Sequence, residues 1–434
     1  MLLVAAYVAT ANPLRGGDHY SAALTAWAIA TTGSADVSAF ADPQEGLWLF
    51  PVGDAVVSNR FAGTVLYAVP FYAAADVVVD GFSMWPGIVA ASVSAALAVL
   101  FMWGALLPQG RRVAWGAAAV FGFGTATWAV SADTQWSHGP AQAALAGALL
   151  ALSRRRLGLA GLALGLALAV RPHLAVAALV IGVWLAVAAR SWLPLLRVGL
   201  GALPGGLILL SYNAWVHGRF WPTNGLERTA TDVSWGDSGG GVGLLALPEN
   251  LLGTLASPGR GVLVVYPVLL VLAFFLPTAW RRATVAERAA AAGGVAYLLV
   301  QLTLNRYSGG WWYFGSRLTI ETLTLSFPIL VRAFTAVAPR PLRIVAVVLL
   351  GWTVGTHALG AISAQPIVDD RVLDDPWTFY DPWVVAATRG PVVTGLVLGA
   401  AMVAVVVGGW FLARRGSPPA RRPAVDKPMG TAAR

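Results

Sequence analysis

The residues best suited to chemistry in this sequence are carboxylates and arginines that stand where apolar segments begin or end. The first is Asp18, in the run Gly17-Asp18-His19-Tyr20 that follows the apolar residues 1–14. A carboxylate at this place can accept a proton from a sugar hydroxyl that a bound substrate brings within hydrogen-bond reach. The alternative is a helix cap, because Asp is a favoured N-cap residue and an amphipathic helix is expected over about residues 21–31.

A second carboxylate, Asp133, lies in the short polar connection 131–140 between two apolar segments. Together with His138 and Gln135 it could orient a phosphate or hold one divalent cation, Mg²⁺ or Mn²⁺. A lone carboxylate with an imidazole is a small ligand set for a metal, however. The alternative is that Asp133 caps the next helix while Trp136 anchors the turn at the membrane interface.

Two arginines stand where apolar segments are interrupted. Arg171 precedes Pro172, and its guanidinium group either snorkels from a helix end to the membrane surface or meets a lipid phosphate. Arg260 follows Ser257-Pro258-Gly259, where glycines would let backbone amides approach a phosphate beside the cation. Both residues are therefore candidate phosphate ligands.

The densest run of aromatic and polar residues spans 305–317 and has an arginine near each end, Arg306 and Arg317. Arg317 and Glu321 are four residues apart, so they can share one face of a helix. A charge inside the membrane costs about 2.5–3.5 kcal/mol on insertion scales, so both should face protein or a wet cavity. They form either a mutual ion pair within an aromatic belt or an arginine that Glu321 orients over the phosphate of a lipid-linked substrate.

Two longer loops give weaker signals. Residues 217–260 combine aromatic residues with a glycine run, a composition that suits either a movable lid over a sugar or an ordinary flexible loop. Residues 362–389 combine Asp with Trp and could bind sugar or Ca²⁺, or form a solvated acidic loop.

The elements that must position these residues are membrane helices. Of the 434 residues, 57% are hydrophobic and 11% are charged, against about 25% charged residues in soluble domains. Long apolar stretches recur along the whole chain. The expected fold class is therefore all-α, a polytopic integral membrane protein with about twelve transmembrane helices. The expected spans are 1–14, 85–107, 113–131, 139–153, 157–170, 172–189, 195–216, 261–280, 289–305, 318–337, 342–361 and 390–413.

The apolar stretch 61–79 decides the topology. If it lies in the membrane interface, the basic clusters from Arg111-Arg112 to Arg414-Arg415 all fall on the cytoplasmic side, in agreement with the positive-inside rule. Pro70 in its middle also favours an interfacial helix. Both termini are then cytoplasmic, and the candidate residues gather on the opposite face. The outer segments are 15–84, 217–260, 306–317 and 362–389, with short turns at Asp133 and Arg171.

Other features narrow the class of protein. The net charge of +9 comes from arginines at helix ends, which does not suggest nucleic-acid binding. The chain has no cysteine, so disulfides and thiolate metal sites are excluded. Gly161 and Gly165 indicate close helix packing. Residues 1–14 are expected to be a first span rather than a cleaved signal peptide, and 414–434 a disordered cytoplasmic tail.

The order of these elements resembles the GT-C superfamily of membrane glycosyltransferases, in particular bacterial mannosyl- and arabinosyltransferase-like members that use polyprenyl-phosphate sugars. The resemblance covers most of the chain, with residues 1–413 as the transmembrane domain. The points of match are Gly17-Asp18, the interfacial helix 61–79, Asp133, Arg171-Pro172, the segment SPGRGVLVVYPVLL at 257–270 and the segment GGWWYFGSRLTIETL at 309–323.

The resemblance implies inverting transfer of a sugar from a polyprenyl-phosphate donor to an acceptor hydroxyl, on the outer face of a bacterial plasma membrane. The acceptor is a glycan, a lipid or a protein, and no nucleic acid is involved. A divalent cation is optional, because arginines can supply positive charge. Asp18 matches the family's general base, and Asp133 matches its second acidic position. The residues expected around the donor are His19, Tyr20, Asp133, His138, Arg171, Arg260, Arg306, Arg317 and Glu321.

Two rival functions use the same residues. A transporter or flippase of lipid-linked sugars would need the aromatic residues and arginines but no base at Asp18. Transporters often contain paired broken helices in corresponding halves, a symmetry that this sequence does not display. A ligase of lipid-linked glycans would use a diphosphate donor, so the number of donor phosphates separates it from the first hypothesis.

Overall fold

The computed structural model describes residues 1–13, 17–40, 48–220, 242–258, 260–307 and 313–362, together with residue 407. The last expected span, the loop 362–389 beyond Ile362, and the tail 414–434 lie outside these residues. So do residues 221–241 of the predicted lid and residues 308–312 of the aromatic run.

Helices make up 76% of the described residues. Its apolar stretches are rich in Ala and Leu, which have high helix propensity, and a helix satisfies its own backbone hydrogen bonds within lipid. The helices are α1 (Leu2–Thr10), α2 (Gly17–Thr32), α3 (Ala62–Leu66), α4 (Val69–Ala75), α5 (Trp85–Leu106), α6 (Arg111–Phe123), α7 (His138–Ser153), α8 (Leu157–Val170), α9 (Ala175–Ala189), α10 (Leu193–His217), α11 (Leu247–Ala256), α12 (Val262–Val265), α13 (Val268–Ala273), α14 (Leu276–Arg282), α15 (Val285–Leu304), α16 (Ile320–Ala336) and α17 (Arg340–Ile362).

Most expected spans within the described residues coincide with single helices. Five helical segments are long and apolar enough to cross a membrane, and the remaining spans correspond to helices that are shorter or, for α15, less apolar. The five are Trp85–Gln109, Pro172–Ala189, Leu193–His217, Arg317–Ala336 and Arg340–Ile362. The stretch 113–131 is divided: α6 ends at Phe123, and a π-helical turn, Thr127–Ser131, follows it. The stretch 261–280 consists of three short helices, α12 to α14, because Pro267 and Pro277 interrupt it.

The first outer segment contains the main departures from the expected elements. The stretch 61–79 forms two short helices, α3 and α4, instead of one interfacial helix. A two-stranded antiparallel hairpin precedes them, β1 (Leu49–Val52) and β2 (Ala55–Ser58), and the sequence analysis did not predict it. The helix expected over about residues 21–31 begins earlier, at Gly17. It is buried along most of its length, so the expectation of an amphipathic helix is wrong.

Glycines bring the helix axes of α8 and α10 close together. A Cβ atom at Gly161 would overlap the carbonyl oxygen of Val198, and one at Gly165 would overlap the carbonyl oxygen of Ala202. Close helix packing at these two glycines is therefore confirmed, and small residues allow it in the absence of a hydrophobic driving force within lipid.

The alternating helices place two kinds of residue at opposite ends of the bundle. The segments that contain Asp18, Asp133, Arg171, Arg260 and Arg317 lie at one end, which we call the site end. The opposite end holds the turns that contain most of the described arginines, and we call it the basic end. These arginines are Arg111, Arg112, Arg154, Arg155, Arg156, Arg190, Arg197, Arg281, Arg282, Arg340 and Arg343.

At the basic end, the carboxylate of Glu287 forms hydrogen bonds that connect neighbouring helical segments. Glu287 completes a capping box with Thr284 at the start of α15, and its oxygens accept hydrogen bonds from Arg332 Nε at 2.9 and 3.1 Å. Gln109 Nε2 donates to the same carboxylate at 3.0 Å. Glu287 therefore ties three helical segments together.

Candidate active site

Asp18 lies in the first turn of α2 and is its second residue. The helix begins before Asp18, so the expectation that Asp18 is an N-cap is wrong. A carboxylate in the first turn is still favoured by the helix dipole. The Asp18 side chain is 25% exposed, which leaves it accessible from the site end.

Two arginines hold the Asp18 carboxylate from different parts of the chain. Arg60 Nη1 lies 3.0 Å from Asp18 Oδ1, and Arg317 Nη1 lies 3.2 Å from Oδ2. Arg60 follows the hairpin and precedes α3, whereas Arg317 begins a 3₁₀ turn, Arg317–Thr319, that leads into α16. Their side chains are 21% and 15% exposed. The three groups form an ion-paired cluster that solvent or a substrate can reach.

The charge balance of this cluster fixes the ionisation state of Asp18. Burial raises the pKa of its carboxyl, but the nearby guanidinium groups of Arg60 and Arg317 lower it by more, so the pKa falls to about 2. Asp18 is therefore a carboxylate at any physiological pH.

Aromatic rings hold the arginines of the site by cation–π contacts. The Arg317 guanidinium carbon lies 4.9 Å from the ring centre of Trp136 and 4.4 Å from that of Tyr313. Arg260 lies 4.1 Å from the centre of the same Tyr313 ring. Arg60 lies 5.3 Å from the ring centre of Trp48. Contacts within about 6 Å of a ring centre are attractive, so each guanidinium group has a fixed position.

Arg260 differs from the other arginines of the site. Its side chain is only 6% exposed, and within the described part of the chain its Nη1 has no hydrogen-bond partner. A buried donor without an acceptor is costly. An anion bound beside Tyr313 would supply the missing acceptor.

Two glycines leave space for the aromatic rings of Tyr307 and Phe314, which lie on either side of residues 308–312. A Cβ atom at Gly253 of α11 would overlap the ring of Tyr307, and one at Gly360 of α17 would overlap the ring of Phe314. Gly315 has a φ of 71°, which turns the backbone between Phe314 and Arg317. These contacts determine where Tyr313 and Arg317 enter the site.

A second carboxylate, Glu321, forms a buried cluster near the first. Its side chain has 0% exposure, and its Oε1 lies 2.8 Å from His138 Nδ1 and 3.4 Å from Arg171 Nε. Arg171 also donates to Tyr297 at 3.0 Å, to Ser137 at 2.8 Å and to Gln301 at 3.2 Å. We call this group the Glu321 cluster, and the group formed by Asp18, Arg60 and Arg317 the Asp18 cluster.

The Glu321 cluster revises three expectations. Arg171 is 9% exposed and hydrogen-bonded within the protein, so a snorkelling role is wrong. Trp136 is 3% exposed and packs edge-on against His19 at 4.8 Å, so it does not anchor the turn at the interface. The partners that the structure gives to Glu321 are His138 and Arg171, while Arg317 reaches Asp18. Glu321 therefore does not orient Arg317 by the mutual pair considered above.

Asp133 lies at the site end but contacts a different segment. Its Oδ1 accepts hydrogen bonds from Asn12 N at 2.9 Å and from Asn12 Nδ2 at 3.4 Å. Because α7 begins at His138 with Ser137 as its N-cap, the capping role considered for Asp133 is wrong. Burial raises the pKa of Asp133 to about 7, although the hydrogen bonds from Asn12 oppose the shift.

Three further residues were expected around the donor: His19, Tyr20 and Arg306. His19 and Tyr20 follow Asp18 on α2 and are both buried, and Tyr20 packs edge-on against Phe82 at 5.5 Å. Arg306 is partly buried and directly precedes Tyr307.

The described residues supply few ligands for a divalent cation. Among them, no group of three or more His, Cys, Asp or Glu side chains could hold a metal ion. The two carboxylates of the site clusters are already paired with basic side chains, and Asp133 is hydrogen-bonded to Asn12.

Arg60, Tyr297 and Gln301 were missed by the sequence analysis. For Arg60 a signal existed: the outer segment 15–84 contains only two arginines, and an arginine on the outer side of a membrane protein needs a specific reason. Tyr297 and Gln301 lie within an apolar helix, and nothing in their spacing distinguishes them from core residues.

Comparison with solved structures identifies the fold. The chain is similar to the crystal structure of ArnT from Cupriavidus metallidurans bound to undecaprenyl phosphate, with a TM-score of 0.55 and 14% identity over 96% of this chain and 71% of that chain. No protein-family model matches the sequence, and no curated protein matches it either. The predicted fold class is thereby confirmed: the protein has a polytopic α-helical membrane fold similar to that of ArnT.

Proposed function

We propose that this protein is an inverting glycosyltransferase that moves a sugar from a polyprenyl-phosphate donor to an acceptor hydroxyl. The observation that supports it most is the Asp18 cluster: an accessible carboxylate between two guanidinium groups, at the end of a fold that it shares with ArnT bound to undecaprenyl phosphate. A transferase of this kind needs a base for the acceptor and cations for the leaving phosphate, and the site end supplies both.

Each group has a role in the proposed step. Asp18 takes the proton of the acceptor hydroxyl while that oxygen attacks the anomeric carbon from the face opposite the phosphate. The bond between the anomeric carbon and the phosphate oxygen breaks, and its electron pair stays on that oxygen. The lipid phosphate thus changes from a singly charged diester to a monoester with one more negative charge. Fixed cations aimed at a developing charge are usually a large part of the rate enhancement.

The three arginines near Asp18 and Tyr313 can neutralise the negative charge of the donor phosphate. Arg60, Arg260 and Arg317 bring three positive charges, and Asp18 brings one negative charge, so the net charge is +2. Arg260 also offers a buried donor without a described acceptor. A bound monoester phosphate would balance this charge.

We place the reaction on the non-cytoplasmic face of a bacterial plasma membrane. Within the described residues the arginine-rich turns lie at the basic end, and positively charged loops stay on the cytoplasmic side. The site end then faces outward, towards a glycan, lipid or protein acceptor.

The experiment is a release assay in nanodiscs. The purified protein is incubated with a panel of short-chain polyprenyl-phosphate sugars and candidate acceptors, and free polyprenyl phosphate is measured. Parallel arms contain Mg²⁺, Mn²⁺ or a chelator, which tests for a divalent cation. We expect release with one donor sugar by the wild type and its loss in Asp18→Asn, while Asp54→Asn, an exposed acid in the hairpin turn, keeps the rate.

Other outcomes would favour the rival functions. Tight binding without release, equal in wild type and Asp18→Asn, would point to a transporter or flippase. Release only from diphosphate-linked donors would point to a glycan ligase.

A further inference from the structure

The ion pairs of Asp18 oppose its proposed role as a general base. An efficient general base has a pKa near the working pH, because it must be deprotonated beforehand and hold the proton afterwards. Asp18 is held by Arg60 and Arg317 at 3.0 and 3.2 Å, which stabilises the carboxylate and disfavours its protonated form. With a pKa of about 2, it would accept a proton from a hydroxyl only with great difficulty.

The surroundings of Arg317 suggest how the conflict is resolved. Its guanidinium group contacts the rings of both Trp136 and Tyr313, so it would keep its position if the carboxylate left. Arg260, on the same Tyr313 ring, has a buried Nη1 without a partner among the described residues. Arg317 and Arg260 together therefore define a seat for an anion, and Asp18 at present supplies the anion that Arg317 binds.

We infer that the Asp18–Arg317 ion pair is a resting contact that the donor phosphate breaks, so that Asp18 becomes a competent base only after the donor has bound. This inference rests on the proposed function. The phosphate binds Arg317 and Arg260, and the carboxylate keeps only Arg60. The loss of one cation and the approach of a negative phosphate both favour the protonated form of Asp18.

The inference predicts an ordered reaction. Before the donor binds, the paired carboxylate cannot remove a proton from an acceptor or from water, so the site is inactive. Once the donor is seated, the base is available next to the anomeric carbon. Donor binding is then coupled to proton binding at Asp18. The affinity for the donor rises as the pH falls through the pKa that Asp18 has in the donor-bound state.

The groups that face Asp18 limit the design of a pH experiment. They are Arg60 from the segment after the hairpin, Arg317 from the turn before α16, His19 on its own helix and, at longer range, Arg171 at the end of α8. Among these residue types, histidine is the one whose charge ordinarily changes between about pH 5 and pH 8. A variant of His19 must therefore accompany the variants of Asp18.

The test measures binding of undecaprenyl methyl phosphate, a phosphodiester whose single charge does not titrate in the range used, to the protein in zwitterionic nanodiscs. We expect the wild type to bind it roughly tenfold more tightly at about pH 5 than at about pH 8. Asp18→Asn should lose this dependence and bind at about pH 8 at least as tightly as the wild type does at about pH 5. His19→Asn and Asp54→Asn should both keep the pH dependence.

The contrary results are distinct. If the pH dependence of binding persists in Asp18→Asn, whether or not His19→Asn loses it, Asp18 does not give up Arg317 to the phosphate. The inference is then overturned, while the proposed function stands. If neither the wild type nor any variant binds the diester, although each shows a cooperative thermal transition, the donor class itself is wrong and the proposed function fails with it.

Discussion

The two carboxylate clusters at the site end use the same residue types in opposite environments. Asp18 is 25% exposed and paired with two arginines that are themselves partly exposed. Glu321 has 0% exposure and is paired with Arg171 and His138, and Arg171 also donates to Ser137, Tyr297 and Gln301. The Asp18 cluster is partly exposed and carries a net positive charge, whereas Glu321 is enclosed by protein, with its Oε2 lacking a hydrogen-bond partner among the described residues.

The difference separates chemistry from positioning. Glu321 has no exposed surface, so a substrate cannot contact its carboxylate in this structure. The Glu321 cluster nevertheless joins the start of α16, which follows Arg317, to the start of α7, which follows Trp136. It therefore fixes the distance between the arginine and the ring that holds it. We interpret the Asp18 cluster as the working group and the Glu321 cluster as its support.

The largest expected effect is on the rate of transfer in Asp18→Asn. General base catalysis contributes roughly 10²–10⁴-fold, so the substitution should reduce the rate by that factor at saturating donor. The fold should persist, because Asp18 is partly exposed. The measurement is the rate of polyprenyl-phosphate release together with the thermal midpoint. A loss of rate that merely follows a loss of folded protein would contradict the assigned role.

Substitution of Glu321 should show the opposite pattern. Glu321→Ala leaves the buried Arg171 without its counter-charge, and breaking such a pair typically costs about 3–5 kcal/mol of stability. We expect a large fall in the thermal midpoint, with Glu321→Gln less affected because it keeps a hydrogen-bond acceptor for His138. Unchanged stability in Glu321→Ala would mean that the cluster does not support the fold.

Arg317→Lys tests whether the cation of the working cluster must be a guanidinium group. Lysine keeps the charge but cannot reproduce the contacts of a planar guanidinium group with Trp136 and Tyr313, so donor affinity should fall roughly tenfold. The matched control is Arg332→Lys at the basic end, where Arg332 binds Glu287 and touches no proposed substrate. Equal losses of donor affinity in both variants would show that the effect is not local to the site.

The smallest expected effect is on the pH dependence of stability, to which Asp133 and Asp18 contribute with opposite sign. The pKa of Asp133 is raised to about 7, so the folded state binds the proton more tightly and stability falls as the pH rises from about 4 to about 7. The pKa of Asp18 is lowered to about 2, so its contribution is present above about pH 4 and is lost as the pH falls towards about 2. Thermal midpoints of Asp133→Asn should be less sensitive to pH above about pH 4 than those of the wild type. An identical pH profile would contradict the raised pKa of Asp133.

Several site residues could be found from the sequence because the membrane restricts where charges stand. Asp18, Asp133, Arg171, Arg260 and Arg317 were identified since polar residues at the ends of apolar segments are costly without a purpose. Their pairing could not be found in this way. The spacing of Arg317 and Glu321 suggested a pair with each other, yet each has a partner more than 100 positions away in the chain.

The sequence by itself determined the class of structure and the end of the bundle at which the polar residues gather. Hydrophobic length and the distribution of arginines are properties of each segment alone, so they can be read without knowledge of its neighbours. Only the tertiary structure decided that Arg60 joins Arg317 around Asp18, that Arg171 is enclosed with Glu321, and that Asp133 holds Asn12. These pairings depend on how helices distant in sequence pack together, and electrostatic environment follows from that packing.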